Sequence, residues 1–215
     1  RDFCLSRGLG DVYKRQPDSM RMKQAAAAVG QCSLMYLYDK FFGDYDKTVA
    51  QILLNAEDIE QEEKKENLIN TFNALLEMGV IPIVNENDSV SYKEIESEDR
   101  LFGDNDMLSA VVAVLCRARH LVILSDIDGF YDHDPRLYPN AKLIEQIDTI
   151  DDSVYALAGG AGSRRGTGGM RTKLQAAALA TSQGTDTIVT NGKHPEALYD
   201  IVKGLHAGTL FPGKI

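Results

Sequence analysis

The sequence has no tryptophan, three cysteines and four histidines among its 215 residues, and it has no long apolar run. No apolar stretch approaches the roughly 18 residues that a membrane-spanning helix needs, so we expect no membrane association. Cys4, Cys32 and Cys116 show no paired spacing, which predicts a reduced, cytoplasmic setting without disulfides. The histidines form no metal-binding motif, and no Ser-His-Asp or Cys-His arrangement indicates acyl transfer.

The charge balance is acidic, with 32 Asp and Glu residues against 23 Lys and Arg residues and a net charge of −9. This balance argues against a general binder of nucleic acids or acidic membranes. The hydrophobic content of 44% is typical of globular proteins, and the length suffices for one substantial core or two small ones.

Residues 1–16 differ from the rest of the chain. They mix charge with glycine and show no periodicity, and SRGLGDVYKRQ resembles a translated sequencing adaptor. We therefore predict that 1–16 is a non-native or disordered arm, with a genuine ragged arm as the alternative. No repeat or linker divides residues 17–215, which we predict to form a single domain.

From residue 17 onward, short apolar strands alternate with amphipathic helices. The predicted strands are 48–54, 80–84, 120–125, 187–190 and 207–211, with 143–147 extended. The predicted helices are 20–43, 62–79, 103–118, 151–160, 174–184 and 195–204. The alternation predicts an α/β fold, a three-layer αβα sandwich with a mostly parallel central sheet.

Two helices carry more detailed predictions. In the predicted helix at 62–79, one face carries Leu68, Phe72, Leu75 and Leu76, and Gly79 is placed to end the helix. The N-terminal cap of the predicted helix at 103–118 is one of three polar residues, Asp104, Asn105 or Asp106.

Polar clusters follow or precede three of these elements, at 85–88, 103–106 and 125–129. In parallel sheets, ligands gather beyond the carboxyl ends of the strands, so these clusters are candidate site residues. Turns and helix caps that use Asn and Asp for their own backbone are the alternative.

Four aspartates in and after the third cluster have a spacing that resembles a calcium-binding loop: Asp126, Asp128, Asp132 and Asp134. An EF-hand is excluded because the glycine is misplaced and no glutamate closes the loop.

The segment 163–173, SRRGTGGMRTK, is rich in glycine and in positive charge. Its glycines are Gly166, Gly168 and Gly169, and its cations are Arg164, Arg165, Arg171 and Lys173. A glycine loop that opens a helix presents backbone N–H groups and the positive end of the helix dipole, which suits a phosphate. A flexible basic surface loop is the alternative, and the spacing fits neither a Walker A loop nor a dinucleotide fingerprint. With the anionic clusters, this segment favours phosphoryl transfer.

The motifs VNENDSV, FGDNDMLSA, LSDIDGFYDHDPR and GTGGMRTKLQAA, in this order, resemble the amino acid kinase superfamily and, within it, the glutamate 5-kinase family. MRMKQAAAAVGQ and GTLF resemble the same family, so the resemblance covers 17–211. It implies ATP-dependent phosphorylation of the γ-carboxylate of L-glutamate, with Mg²⁺, as the first step of proline biosynthesis. The alternatives are a sibling kinase for aspartate, N-acetylglutamate, carbamate or UMP, and an inactive nucleotide-binding fragment.

The resemblance also implies roles for single residues. Asp88 and Asn105 would hold glutamate, with Asp88 at its α-ammonium group. Lys173 would stabilise the transferring phosphoryl group, and Asp106 would organise the catalytic lysines. The nucleotide-binding residues would be Ser125, Asp126, Thr167, Gly168, Gly169, Met170, Arg171, Thr172 and Lys173. No protein ligand of Mg²⁺ is assigned.

The sequence departs from the family pattern at its start. The family opens with a strand that carries a Lys-Val-Gly-Thr/Ser motif and supplies a second phosphate-binding lysine, and neither is present in these 215 residues. We therefore expect the 215-residue chain by itself to be inactive or nearly so. The family also implies a homodimer or homotetramer, and feedback by proline is an open possibility.

Overall fold

The computed structural model describes residues 19–90, 105–158 and 167–214, and the chain divides into two compact units, 1–100 and 101–215. The predicted arm at 1–16 lies outside the described residues, and so do Asp104 and the start of the glycine-rich segment at 163–166. The domain boundary at residue 17 therefore stays a prediction. Among the described helices, none combines the length and the apolar character that a bilayer span requires.

The first unit contains two parallel strands and the helices around them. Its elements are α1 (Met20–Gly43), β1 (Val49–Leu54), α2 (Ala56–Glu60), α3 (Glu62–Glu77) and β2 (Ile81–Glu86). Strands β1 and β2 pair in parallel, from Val49 opposite Ile81 to Leu54 opposite Glu86. Parallel neighbours need a crossover connection, which α2 and α3 supply. Strand β2 is longer than predicted, because pairing with β1 continues through Asn85 and Glu86.

The C-terminal end of α3 follows the predicted glycine stop. Gly79 has a φ of +70°, which favours glycine because it has no Cβ to clash. Its N–H donates to the Leu76 carbonyl at 3.0 Å, and the Val80 N–H donates to the Leu75 carbonyl at 2.9 Å. These two bonds form a Schellman motif, which satisfies carbonyls that the helix end leaves open.

The predicted apolar face of α3 is mostly confirmed. Phe72 is 1% exposed, and Leu68 and Leu75 are half-buried. Leu76 is 50% exposed, so its assignment to the buried face is wrong. The buried stripe of α3 is thus narrower than the sequence pattern predicted.

The second unit is built on a three-stranded sheet. Its elements are α4 (Asn105–Leu115), β3 (His120–Ser125), α5 (Asp152–Ala158), α6 (Thr167–Ser182), β4 (Asp186–Asn191), α7 (Ala197–Val202) and β5 (Thr209–Phe211). Strand β4 lies in the centre, parallel to β3 and antiparallel to β5. The segment predicted to be extended at 143–147 makes single bridges instead of a strand, through Leu143 and Gln146. The predicted α/β fold with mostly parallel pairing is confirmed.

Alanines of α4 and α6 form much of the core of the second unit. Five of them are at most 6% exposed in one buried cluster: Ala110, Ala113, Ala176, Ala177 and Ala180. Small side chains allow two helices to approach closely, and Leu174 fills the space beside them at 0% exposure. The strands contribute Val189 and Phe211, and the Phe211 ring meets the Phe130 ring edge-on at 5.3 Å.

Candidate functional site

The most prominent polar contact in the second unit joins Lys173 to Asp106. Lys173 Nζ lies 2.7 Å from Asp106 Oδ2, and the two side chains are only 15% and 18% exposed. Asp106 occupies the first turn of α4, where a negative charge is stabilised by the helix dipole. A short contact between a cation and a carboxylate with little access to water fixes the position of both groups. The structure therefore brings together the two residues that the resemblance assigned to catalysis.

The spacing of the buried residues explains why these two side chains meet. Asp106, Ala110 and Ala113 are separated by four and three residues along α4, which places them on one face of the helix. Lys173, Ala177 and Ala180 repeat the same spacing along α6. Each helix thus has a row of alanines on one face, which begins with Asp106 on α4 and with Lys173 on α6. Because the alanines of both helices pack in one core cluster, these two polar residues are placed beside each other.

Thr172 contributes to the same contact. Its Oγ1 lies 3.2 Å from Asp106 Oδ2 and 3.0 Å from the backbone oxygen of Gly169. A hydroxyl has one proton to donate, so the two acceptors share it. Asp106 Oδ2 thus accepts from a lysine and lies within reach of a threonine hydroxyl, both on α6.

The predicted loop structure of 167–173 is wrong. Residues Thr167–Ser182 form α6, so the segment GTGGMRTK belongs mostly to a helix and not to the loop before it. The helical pattern was present in the sequence, because Met170 and Leu174 pack on the core at a spacing of four residues. The role expected of these residues stays a prediction, with the phosphate site moved to the N-terminal turn of α6.

Neither Asn105 nor Asp106 caps α4 as the sequence analysis allowed, because both belong to the helix itself. Asn105 is exposed at its first position, and no contact among the described residues points to a role for it. Its assignment to glutamate binding stays a prediction.

Ser125 and Asp126 lie where β3 ends. Ser125 is the last residue of the strand, and its Oγ donates to Asp126 Oδ1 at 3.3 Å. Helices α4 and α6 each lead directly into a strand of the β3–β4 pair, so each helix runs back along the sheet. Their N-terminal turns therefore lie at the same edge of the second unit as the carboxyl ends of β3 and β4, which is where α/β sheets bind ligands.

A network that the sequence analysis missed links the loop after β3 to the carboxyl end of β4. Asn191 Nδ2 donates to Asp128 Oδ1 at 2.7 Å, and the Tyr131 hydroxyl donates to Asp128 Oδ2 at 3.0 Å. The bond from Asn191, followed by that from Tyr131, lowers the pKa of Asp128 below its ordinary value. The signal was the Asn-Gly pair after the fourth strand, which marks a turn at the ligand-binding edge.

Close backbone packing fixes the loop after β3. The Phe130 N–H donates to Thr209 Oγ1 at 2.8 Å, and Thr209 Oγ1 donates to the Ile144 carbonyl at 2.6 Å. Gly129 has a φ of +157°, and a Cβ at that position would lie 2.5 Å from Thr209 Oγ1. Gly129 therefore cannot be replaced without displacing the loop.

The first unit has its own candidate pocket, a groove of about 230 Å³ beside α1 and the end of β2. Its polar walls include Asp88, Asn85 and Gln31. Asn85 Nδ2 donates to Gln31 Oε1 at 3.1 Å, and its Oδ1 accepts from the Glu86 N–H at 3.0 Å. The groove thus contains Asp88, the residue expected at the ammonium group of glutamate.

The described residues contain no group of three His, Cys, Asp or Glu side chains arranged to hold a metal ion. Mg²⁺ requires fewer protein ligands when it is bound to phosphates, since it then keeps several waters. A MgATP substrate would therefore need no such group of protein ligands.

Sequence comparisons give a consistent family assignment. The amino acid kinase family model matches residues 4–191, so the match begins inside the segment that we predicted to be foreign. A glutamate 5-kinase from Clostridium perfringens is 54% identical over 208 residues, which are 96% of the chain and 77% of the relative. A glutamate 5-kinase from Listeria innocua is 48% identical over 199 residues, 93% of the chain and 72% of the relative.

Comparison with solved structures supports the fold alone, because the identities are low. An isopentenyl phosphate kinase from T. acidophilum matches with a TM-score of 0.59 and 20% identity, over 92% of this chain and 73% of that one. A UMP kinase from Bacillus anthracis matches with a TM-score of 0.58 and 16% identity, over 98% of this chain and 76% of that one. From the family match, the relatives and the shared fold, the chain belongs to the amino acid kinase family.

Proposed function

We propose that the protein transfers the γ-phosphoryl group of ATP to the γ-carboxylate of L-glutamate, which yields L-glutamyl 5-phosphate and ADP. The observation that carries this proposal is the similarity to glutamate 5-kinases, at 47–54% identity over more than nine-tenths of the chain. In cells this reaction would be the first step of proline biosynthesis. The solved structures supply no competing candidate, since they match at 15–20% identity.

The chemistry requires charge neutralisation more than proton transfer. The γ-carboxylate of glutamate is already an anion near neutral pH, so no general base is needed to activate it. The difficulty is to bring this anion toward the polyanionic triphosphate. A fixed cation near the transferring group offsets the repulsion and stabilises the charge of the transition state.

Lys173 has the properties required of this cation. Its ammonium group is held at 2.7 Å by Asp106 Oδ2 and is largely shielded from water. A preorganised charge of this kind needs little rearrangement during the reaction, which makes it effective in stabilising a transition state. We assign Lys173 to the transferring phosphoryl group and Asp106 to the orientation of Lys173.

The nucleotide and the amino acid are assigned to separate parts of the chain. The N-terminal turn of α6 offers backbone N–H groups for phosphate oxygens, and Ser125 and Asp126 lie at the same sheet edge of that unit. With MgATP as the substrate, part of the phosphate charge would already be neutralised before the remaining charge meets these groups. Asp88, in the groove of the first unit, is assigned to the α-ammonium group of glutamate.

Because the 215-residue chain by itself is expected to be inactive, the proposal is tested by an acceptor assay on a complete enzyme that carries these residues. Each candidate acceptor is incubated with MgATP, and ADP release is measured with L-glutamate, L-aspartate, N-acetylglutamate, carbamate or UMP. Hydroxylamine is added in parallel, because an acyl phosphate converts it to a hydroxamate. Lys173→Ala serves as the inactive comparison, and Lys203→Ala removes the same charge from an exposed position on the end of α7.

We expect ADP release that depends on L-glutamate, together with γ-glutamyl hydroxamate, and the loss of both in Lys173→Ala but not in Lys203→Ala. ADP release with another acceptor and not with glutamate would replace the proposed substrate. Nucleotide binding without turnover of any of the acceptors would refute the enzymatic proposal. Feedback by proline and assembly into a homo-oligomer stay predictions, to be measured by proline titration of the same assay and by light scattering.

A further inference from the structure

The four aspartates after β3 have different uses in the structure. Asp132 Oδ1 accepts from the Lys142 N–H at 2.8 Å, and Asp134 Oδ1 accepts from the Arg136 N–H at 2.9 Å. Both carboxylates therefore stabilise the backbone of their own loop. Asp128 is bonded to side chains at two other positions, and one of them lies 63 residues away on β4.

Asp126 differs from the other three. It is exposed, and the weak bond from Ser125 at 3.3 Å is its one polar contact among the residues that the structure describes. It is therefore the aspartate of this loop that is available to a ligand. Asp128, two residues further on, is also exposed, but each of its carboxylate oxygens already accepts a bond, one from Asn191 and one from Tyr131.

We propose that Asp128 is a positioning residue that fixes the nucleotide-binding loop after β3 to the carboxyl end of β4. The proposal rests on the nucleotide role assigned above to Ser125 and Asp126. It extends that role to Asp128, Asn191 and Tyr131, none of which needs to touch the nucleotide.

The strand register makes this connection effective. Ser125 and Asn191 are the paired last residues of β3 and β4, and the Gly192 N–H donates to the Ser125 carbonyl at 2.8 Å. The bond between Asn191 and Asp128 closes a short ring that contains Ser125 and Asp126. Two fixed points on either side of Asp126 restrict the backbone that carries it, so less freedom is lost when the nucleotide binds.

The bond from Asn191 to Asp128 allows an exchange experiment, because its donor and acceptor can be swapped. Asp128→Ala removes the connection, and Asn191→Asp places two carboxylates against each other. The double variant D128N/N191D restores a bond of the same kind, since the new amide donates to the new carboxylate. Asp132→Asn is the matched control, because it removes a charge from the same loop while the side-chain oxygen still accepts from the Lys142 N–H.

The measurements are the dissociation constant for ATP, by calorimetry on the full-length protein, and the KM values for ATP and glutamate. We expect Asp128→Ala and Asn191→Asp each to weaken ATP binding about tenfold, as the loss of a hydrogen bond to a charged group implies. We expect the KM for glutamate to remain unchanged, Asp132→Asn to resemble the wild type, and D128N/N191D to recover most of the lost ATP affinity. A merely structural effect would lower stability without this selectivity for ATP.

Unchanged ATP affinity in Asp128→Ala would overturn the inference, and so would a double variant that binds ATP no better than Asn191→Asp. These outcomes are distinct from a failure of the proposed reaction. A wild-type protein that binds ATP without phosphorylating glutamate would refute the reaction, and the calorimetric comparison of the variants would still decide the role of Asp128.

Discussion

Replacing Lys173 by alanine tests the proposed mechanism most directly. The change removes the ammonium group that lies 2.7 Å from Asp106 Oδ2 in a site where both side chains are less than one-fifth exposed. Losing one preorganised donor to the transition state typically costs about 10²- to 10³-fold in kcat, or roughly 3–4 kcal/mol. We expect a fall of that size with saturating MgATP and glutamate, and a smaller change in either KM.

The same substitution must also be considered for its effect on stability. It removes one charged partner from the largely buried Asp106 carboxylate, and losing a hydrogen bond of that kind costs on the order of 2 kcal/mol of unfolding free energy. Urea denaturation of the variant measures this cost, and assays well below its midpoint separate it from catalysis. A folded Lys173→Ala protein whose kcat falls by less than about threefold would refute the assigned role, since a donor to the transition state contributes far more.

Four further substitutions, one of them with a matched control, test separate parts of the structure. Asp88→Ala should raise the KM for glutamate by about 10- to 100-fold and leave that for ATP unchanged, because an ammonium group would lose a charged partner; an unchanged glutamate KM contradicts the assignment. Gly208→Ala should lower the free energy of unfolding by about 3 kcal/mol or more, because its φ is +79° and the new Cβ would collide with a carbonyl oxygen of β4. Gly204→Ala is its control, with a φ of +75° and open space around the Cβ, and should cost only about 1–2 kcal/mol in the same denaturation experiment. Thr187→Val should stabilise the protein by about 1 kcal/mol, because the buried Thr187 hydroxyl has no hydrogen-bond partner among the described residues, and a lower melting temperature would contradict this reason. Gly169→Ala should raise the melting temperature slightly, since the Cβ meets nothing within 4 Å, and should weaken ATP binding if a phosphate approaches this turn; unchanged ATP affinity would count against the phosphate site.

The sequence predicted most elements because their patterns are local. Strand β3 was placed with its observed ends at 120 and 125, since a buried apolar run is bounded there by polar residues. The end of α3 was predicted from Gly79 alone, because a left-handed residue at that point excludes most other side chains.

The errors arose where tertiary contacts override a local preference. Asn85 and Glu86 were placed beyond the end of the strand, yet they continue β2 because Leu53 and Leu54 of β1 offer partners for their backbone. Gly168 and Gly169 were placed in a loop because glycine lets the backbone approach a ligand closely and adopt a positive φ. They lie in the first turn of α6 as described. Later residues of the same helix, Leu174 and three alanines, are completely buried, and this packing stabilises the helix.

The meeting of Lys173 with Asp106 could not be derived from either segment alone. Each residue has an ordinary local explanation, an N-terminal helix acid in one case and a basic helix residue in the other. Their contact depends on two helices, 67 positions apart in sequence, that pack along matching alanine stripes with the polar residue at the head of each stripe. Such a pair is therefore predicted where two helices each carry a row of small residues on one face. One row must begin with an acidic residue and the other with a basic residue at the same spacing. The network of Asp128 and Asn191 follows the same logic at the strand ends, where parallel register brings residues 125 and 191 together and fixes which loop side chains can bond.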